Sequence, residues 1–282
     1  VMSLTGHGIN YGIDFAGGLN LQYDMGSTYD KADVEEALKA QGIEEFVVSS
    51  VGSEGTAVQI RVPTLSDEDE VQNLQNGLET TLLEKYPNMD TDNATASYVG
   101  PVAGATLVRN AIFSVLIAAV LMLIYIAFRF DLFSGVAAVA GLLHDVLIMI
   151  SFMVILRNVI QMNSSFIAAM LTIVGYSINN TIVIFDRIRE NNKKPALAGQ
   201  PRSEIVELSV KESLGRTINT TLTTLVTIVT LYILGVASIR EFSLPIIIGI
   251  LAGAYSANLI NGYVWAALED ARLARKSQKK AA

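Results

Sequence analysis

Long apolar runs after Gly100 constrain the fold of this chain more than any other feature of its sequence. The run AIFSVLIAAVLMLIYIAF and later runs such as ISFMVIL approach or exceed the ~20 apolar residues that an α-helix needs to cross hydrocarbon. Five spans are predicted, near residues 104–128, 132–156, 163–187, 212–236 and 242–268. Residues 100–270 are therefore predicted to form a transmembrane helix bundle.

Charge divides the 282-residue chain at the same place. Residues 10–98 contain seventeen Asp and Glu against four Lys and Arg, a net charge of −13, which leaves +6 for the rest of a chain whose total is −7. This contrast indicates an acidic, water-exposed domain joined to a membrane portion with basic loops. Nothing in it indicates binding to nucleic acid.

The acidic portion, residues 10–99, contains alternating strand and helix patterns. Strands are predicted at LNLQYDM (19–25), EEFVVSSV, TAVQIRV and ATASYV, with a turn at residues 52–55. Helices are predicted at DKADVEEALKAQG, closed by Gly42, and from a Ser66 cap to about Lys85. The order βαββαβ predicts an α+β, ferredoxin-like domain. Its acidic helical positions are interpreted as a solvated face.

Basic residues predict the orientation in the membrane. They cluster between the third and fourth spans and in the tail, 271–282, and the positive-inside rule puts both clusters in the cytoplasm. Since five crossings that end inside begin outside, the acidic domain is expected on the outer side. Delivery of that domain requires a preceding helix, so residues 1–9 are interpreted as the end of a truncated first membrane helix or linker, with a sixth helix expected before Val1.

Several classes of site are excluded by residue type. Cys is absent, which excludes disulfides and cysteine-based metal sites. No GxxxxGK[ST] phosphate loop occurs, so the chain does not bind ATP by that route. No catalytic residue, cofactor or metal ligand is predicted, and the chain is not predicted to be an enzyme.

Asp145 is the clearest candidate for a functional residue. It lies near the middle of the second predicted span, beside His144. An ionisable group inside a span costs at least ~2.5 kcal/mol on insertion scales and is tolerated chiefly where it faces a partner, water or the bundle interior. Two interpretations are open: Asp145 handles a proton or ion, or it is a buried carboxyl satisfied by a neighbouring helix.

Two other spans carry polar side chains. Arg216 begins the fourth span and heads a stripe of Thr and Asn that suits either a hydrated seam or interhelical hydrogen bonds. The third span ends in GYSINNTIVIFDRIREN (175–191), whose polar patch is predicted to weaken the helix, as in the broken spans that line transport paths. The patch comprises Gly175, Ser177, Asn179, Asn180 and Thr181. The segment 186–191 is interpreted as an interfacial cap, and Gly249 with Gly253 as a small-residue pair for close helix approach.

Five motifs together resemble the SecF proteins of the SecD/SecF family, in the resistance-nodulation-division superfamily. They are GIDFAGG at 12–18, VGPVAG at 99–104, HD at 144–145, GYSINNTIVIFDRIREN at 175–191 and Arg216 in LGRT. The resemblance covers nearly the whole chain and lacks only the family's first membrane helix. The motif positions are Asp14, Gly17, Gly18, Gly100, Pro101, Gly175, Tyr176, Ser177, Asp186 and Arg187.

The resemblance implies six membrane helices and an outer domain that holds emerging polypeptide. It implies a subunit of the bacterial cytoplasmic membrane that pairs with SecD. Together the two use the proton motive force to promote translocation of preproteins through the SecYEG channel and their release outside. The implied partners are a SecD-like subunit, SecYEG, the preprotein and the lipid bilayer, and no cofactor is implied.

At one position the chain departs from the family pattern. Arg216 matches the family's functional arginine, but Asn180 stands where many members carry an Asp considered important for proton-coupled function. An amide cannot take and release a proton near neutral pH. Either a SecD subunit's corresponding Asp carries the proton, with Asn180 and Arg216 bonding to it or tuning it, or Asp145 compensates in this chain. The first is preferred, and His144 and Asn179 are expected along the same path.

Two other functions are open. A stand-alone proton-driven transporter of lipid or small molecules would use the same superfamily fold, although such proteins usually carry both repeats on one chain. An intramembrane protease would need a nucleophile paired with His144 or a second core carboxylate. Neither arrangement stands out in the sequence.

Overall fold

The computed structural model describes residues 11–51, 55–63, 65, 68–157 and 160–281. The segment 1–9 and the Ser66 cap lie outside the described residues, as does most of the predicted turn at 52–55. The chain forms two compact units by its contacts. One comprises Ile9–Ala111 with Gln161–Ser164, and the other contains Ile112–Ile160 and Ser165–Ala282.

The first unit contains a four-stranded sheet. Its elements are α1 (Ile13–Ala16), β1 (Gly18–Asp24), α2 (Lys31–Ala40), β2 (Val47–Val51), β3 (Ala57–Val62), α3 (Glu68–Lys85) and β4 (Asp90–Val99). The strands lie in the order β2-β3-β1-β4, and every neighbouring pair is antiparallel. The prediction of a small antiparallel sheet is confirmed. The one-turn helix α1 was not predicted from the sequence patterns.

Alternation along the central strands builds the core of this unit. On β1 and β3 every second side chain is buried, and these side chains pack with apolar residues of α2 and α3. The buried set includes Leu19, Leu21, Tyr23, Val58, Ile60, Val62, Val34, Ala37, Leu38, Val71, Leu74, Leu78 and Leu82. The intervening strand positions, which face away from this core, are mostly polar. Two helices therefore supply the apolar cover for one face of the sheet.

Six long helices follow the sheet. They are α4 (Pro101–Arg129), α5 (Leu132–Ile155), α6 (Ser164–Asn191), α7 (Arg202–Leu234), α8 (Ala237–Ser256) and α9 (Gly262–Ala281), with the π-helical segment Ala257–Asn261 joining the last two. Five continuous helices among the described residues are long and apolar enough to cross a membrane. They are Ala103–Arg129, Leu132–Ile155, Ser164–Asn191, Arg202–Leu234 and Ser238–Arg275. The chain is a multi-pass membrane protein, as predicted.

Helix boundaries differ from the predicted spans where polar residues continue a helix beyond its apolar core. The fourth helix starts at Arg202 and not at residue 212, and α9 runs through most of the predicted tail. Hydrophobicity marks only the part of a helix that suits hydrocarbon, whereas backbone hydrogen bonds continue into water.

The predicted weakening of the third span is not observed. The helix α6 runs unbroken from Ser164 to Asn191 through its polar patch. It is also a central helix, since half of its most apolar stretch is buried within the chain, against 6% for the first span. The helical irregularity lies instead in the π-helical segment between α8 and α9, where backbone bonds span five residues.

Candidate functional site

A buried carboxyl group joins three helices of the bundle. Asp145 of α5 is fully buried, and its Oδ2 accepts hydrogen bonds from Ser177 Oγ of α6 (2.5 Å) and Ser256 Oγ of α8 (3.0 Å). Its Oδ1 lies 3.0 Å from His144 Nδ1. A carboxyl placed out of water needs such partners, because leaving it without them costs several kcal/mol.

Glycines on α8 allow the serines to reach this carboxyl. A Cβ on Gly253 would lie 3.1 Å from Ser177 Cβ, and one on Gly249 would lie 2.5 Å from Ile173 Cγ1. Larger side chains at either position would push α8 away from α6. The prediction that these two glycines permit close helix approach is confirmed.

His144 connects the buried carboxyl to the surface of the bundle. Its side chain is 29% exposed, and its ring stacks on Tyr255, with ring centroids 5.8 Å apart and an interplanar angle of 25°. Tyr255 is itself half exposed in this chain. The predicted pair His144 and Asp145 thus spans from the bundle interior to the face formed by α5 and α8.

A second polar cluster surrounds the π-helical segment. Asn261 Nδ2 donates to Thr181 Oγ1 (2.8 Å), and an added Cβ at Gly141 would collide with the Asn261 side chain. Asn180 is also buried, and its Nδ2 has no hydrogen-bond partner among the described residues, nor has Asn261 Oδ1. Two unpaired amide atoms therefore occur on helices of the bundle interior, where each costs about 1–3 kcal/mol.

Arg216 belongs neither to the cluster around Asp145 nor to the cluster around Asn261. It lies exposed on α7, and no hydrogen bond or ion pair within the described residues connects it to Asn180 or Asp145. Asn179 is likewise exposed. Most threonines that follow Arg216 donate to carbonyls one turn earlier in their own helix, as Thr220 does to Arg216 O (2.9 Å). On the side of α7 that faces the bundle, Thr217 Oγ1 donates to Asn258 Oδ1 (3.2 Å).

The amino-terminal motif residues act within the first unit. Asp14 Oδ2 accepts from the backbone N–H of Ser164 (2.8 Å), the first residue of α6, and Gly12 N donates to Met162 O (2.9 Å). Gly17 and Gly18 have positive φ values of 79° and 115°, and a Cβ on Gly18 would lie 2.8 Å from Pro63 Cα. The two glycines are required by backbone conformation and space.

The other motif residues have varied surroundings. Gly100 and Gly175 have room for a side chain, and Pro101 begins α4, where a missing N–H is tolerated. Tyr176 is half-buried, and its hydroxyl has no partner in the described part of the chain. Asp186, in the segment interpreted as an interfacial cap, pairs with Arg129 (3.3 Å).

Sequence reasoning missed a polar network at the end of α6. Asn191 is fully buried, and its Nδ2 donates to Ser209 Oγ (2.9 Å) and Glu212 Oε2 (2.7 Å) of α7. Arg187 Nε also donates to Glu212 Oε2 (2.7 Å). The sequence signal was the polar run at 186–191, but its partners on α7 lie about twenty residues away and could not be identified from spacing.

These features define a class: a multi-pass membrane protein that buries one hydrogen-bonded carboxyl group between its spans. No group of three or more His, Cys, Asp or Glu side chains suited to a metal ion occurs in the described part of the chain.

Two known protein-family patterns match this chain. The family described as protein export membrane protein SecD/SecF, C-terminal, matches residues 79–271, and the SecD/SecF GG motif matches residues 3–27. The protein translocase subunit SecF of Rickettsia bellii (strain OSU 85-389) is 36% identical over 252 residues, which are 89% of this chain and 81% of the relative. The chain belongs to the SecD/SecF family of protein export membrane proteins.

Longer relatives match as well. The protein translocase subunit SecDF of Bacillus subtilis (strain 168) is 34% identical over 95% of this chain but only 35% of its own length. A crystal structure of SecDF from Thermus, described as a translocon-associated membrane protein, superposes with a TM-score of 0.79 at 34% identity. This chain covers 35% of that structure, so it spans about a third of the SecDF proteins. The family membership gives this chain a role in protein export.

Proposed function

We propose that this chain is a SecF-like subunit which, with a SecD-like chain, uses the proton motive force to promote preprotein translocation through SecYEG and release outside. This chain matches about a third of the length of its SecDF relatives. The part of those relatives that it does not match supports a separate SecD-like chain as its partner. The location is the bacterial cytoplasmic membrane, with the acidic domain at 10–99 outside and the tail at 271–282 inside. The βαββαβ order and the β2-β3-β1-β4 sheet support the ferredoxin-like class for that domain.

The polar face of α7 is the observation that carries this proposal. Arg216 and the stripe of Asn219, Thr223 and Thr227 are exposed on a helix that is apolar enough to span a membrane. A guanidinium facing lipid inside a span costs at least ~2.5 kcal/mol, so such residues face a protein partner or water. A SecD-like chain that covers this face would remove that cost and would bring its own ionisable groups to Arg216.

Proton carriage is assigned in this proposal to a carboxyl of the SecD-like partner. The hydrogen bonds of Asp145 to two serines on other helices support a role in holding α5, α6 and α8 together. Arg216, exposed on α7, then acts on the partner's carboxyl as a charged neighbour. Asn180 is buried in this chain, so its unpaired Nδ2 reaches that carboxyl only when the surrounding helices separate, whereas Asn179, the residue before it, is exposed. His144 connects Asp145 to the exposed face of the bundle.

Arg216 provides the first test. In membrane vesicles that contain both subunits, Arg216→Met is expected to reduce proton-gradient-dependent export at least about tenfold, while Arg216→Lys retains part of it because the charge remains. Arg275→Met is the matched control, since Arg275 is an exposed arginine on α9 that forms no ion pair among the described residues. Full export by a stably assembled Arg216→Met protein would contradict the assignment.

Asp145→Asn provides the second test. Because the partner is proposed to carry the proton, this change is expected to keep most of the export activity, whereas Asp→Asn in the partner's matching motif abolishes it. The reverse result would place proton carriage in this chain. Co-purification with a SecD-like chain separates the whole proposal from a stand-alone transporter, which would need no such partner.

A further inference from the structure

A cavity of about 200 Å³ opens at the end of the bundle where four helices meet. Its walls come from the junction of α4 and α5, the end of α6 with the turn that follows it, and the first turn of α9. Two candidate spans end or begin at this level, at Arg129 and Leu132, and α6 ends at Asn191. The cavity therefore lies where hydrocarbon gives way to the polar boundary of the membrane.

The inner wall of the cavity is apolar and aromatic. Phe130, Phe185, Ile188 and Trp265 line it, with the two phenylalanine rings 6.2 Å apart. Trp265 is the only tryptophan of the chain and is 6% exposed. Aromatic rings of this kind prefer the headgroup level of a bilayer, where one side is apolar and the other polar.

The rim of the same cavity carries two cations, Arg189 and Lys193. Neither forms an ion pair with any carboxylate in the described part of the chain, and Arg189 Nη1 donates only to Arg129 O (3.3 Å). Neighbouring cations at this end are paired: Arg129 with Asp186 at 3.3 Å, and Arg187 and Lys194 with Glu212 at 2.7 and 4.0 Å. In the described part of the chain, Arg189 and Lys193 are thus cations of the cavity rim without a carboxylate partner, and nearby Arg202, which also has none, donates to the amide oxygen of Asn192.

One carboxylate also lines the cavity and is already engaged. Asp131 caps α5, its Oδ1 accepting from Ser134 N and its Oδ2 from Ser134 Oγ, both at 2.8 Å. Two cations against one capping carboxylate leave the lining with an excess of positive charge. A compact anion that also has an apolar part matches this combination of rim and inner wall.

We propose that this cavity binds the phosphate headgroup of an anionic phospholipid. The phosphate bonds to Arg189 and Lys193, and the first carbons of the lipid contact the wall at Phe185 and Trp265. The cavity is lined by residues of this chain that do not belong to the proposed proton path, so the proposal stands apart from the proposed export mechanism.

Trp265 makes binding measurable, because all tryptophan fluorescence of the chain arises at the cavity. The full chain is purified in dodecyl maltoside and titrated with dioleoylphosphatidylglycerol, and a saturable change in Trp265 fluorescence is expected. Dioleoylphosphatidylcholine, which has no net charge, should bind at least about fivefold more weakly. Inorganic phosphate and glycerol 3-phosphate, added up to millimolar concentration, separate a lipid headgroup from a free phosphate.

Lys193→Gln tests the residue assignment, and Lys194→Gln is the matched control. Lys194 is the next residue and its replacement changes the charge equally, but Lys194 pairs with a carboxylate outside the cavity. Lys193→Gln should weaken phosphatidylglycerol binding about fivefold, and Lys194→Gln should leave it unchanged. Lys193 is exposed and unpaired among the described residues, so its replacement leaves the fold intact. Arg189→Gln should weaken binding further, and Arg189→Lys should restore part of it.

Three results would overturn the proposal. These are equal binding by the Lys193 and Lys194 variants, equal binding of the anionic and zwitterionic lipids, and saturation by inorganic phosphate without any response to lipid. The last of these would identify a free-phosphate site instead.

Discussion

Asp145 shows how a single carboxyl group is accommodated between spans. Its Oδ2 receives hydroxyl donors from two other helices, and His144 approaches Oδ1 from the bundle surface. Hydrogen bonds to a buried carboxyl are worth more than those between neutral groups, because the alternative is an unsatisfied group in a medium of low dielectric. The serines therefore help to hold the carboxyl group of Asp145 in this position.

Ser177→Ala is expected to destabilise the purified protein by about 1–3 kcal/mol, since Asp145 loses its shortest hydrogen bond inside the bundle. Ser256→Ala should cost less, because that bond is longer, at 3.0 Å. Ser151→Ala is the control, as the Ser151 hydroxyl is exposed and donates to Leu147 O of its own helix. Thermal unfolding in detergent measures all three. If Ser177→Ala unfolds no earlier than Ser151→Ala, the serine does not stabilise Asp145.

At the scale of elements, a carboxylate joins the two helices that cover the sheet. Asp33 of α2 accepts from Lys85 Nζ of α3 and from the Tyr86 hydroxyl just after it, both at 2.6 Å. The hydrogen bond from Lys85, followed by that from Tyr86, lowers the pKa of Asp33 below its usual value. The connection depends on residues more than fifty positions apart.

The stability that Asp33 contributes should depend on pH. Because its folded pKa is lower than its unfolded pKa, of about 3.9, the contribution is complete above about pH 5 and is lost as pH falls through the folded pKa. Asp33→Asn should therefore lower the unfolding temperature near pH 7 and make little difference in stronger acid. Glu84→Gln, an exposed change on α3, is the control. A difference between Asp33→Asn and the parent that is constant across this range would refute the linkage.

The π-helical segment is a second feature that acts at the scale of elements. It places Asn261 against Thr181, in a position left open by Gly141 on α5. A regular α-helix through Ala257–Asn261 would rotate the following helix and carry Asn261 away from this contact. The π-helical segment thus orients its own Asn261, immediately before α9, toward the polar side of α6.

At the scale of the whole molecule, charge and the number of spans predict the topology. A protease recognition site inserted at the exposed turn at Gly42 should be cut from outside in right-side-out vesicles. The same site at Gly199, an exposed turn between α6 and α7, should be cut only in inverted vesicles. Cleavage at Gly42 only after inversion would overturn the proposed orientation.

The sequence by itself determined the membrane class, the five spans and the sheet with its two helices. These follow from local properties, since apolar runs and alternating patterns act over about one element at a time. Motif residues were also identified from the sequence. The contacts of Asp14 were not, because its partner Ser164 lies 150 residues away.

Only the tertiary structure decided which polar side chains meet. Ser177 and Ser256 lie 32 and 111 residues from Asp145, and they reach it because glycines on α8 let helices approach. The structure also shows α6 as one unbroken helix, with Arg216 exposed and Asn180 buried. The depth and rotation of each helix select these contacts. Both are set by packing against other helices, which no local pattern in the sequence encodes.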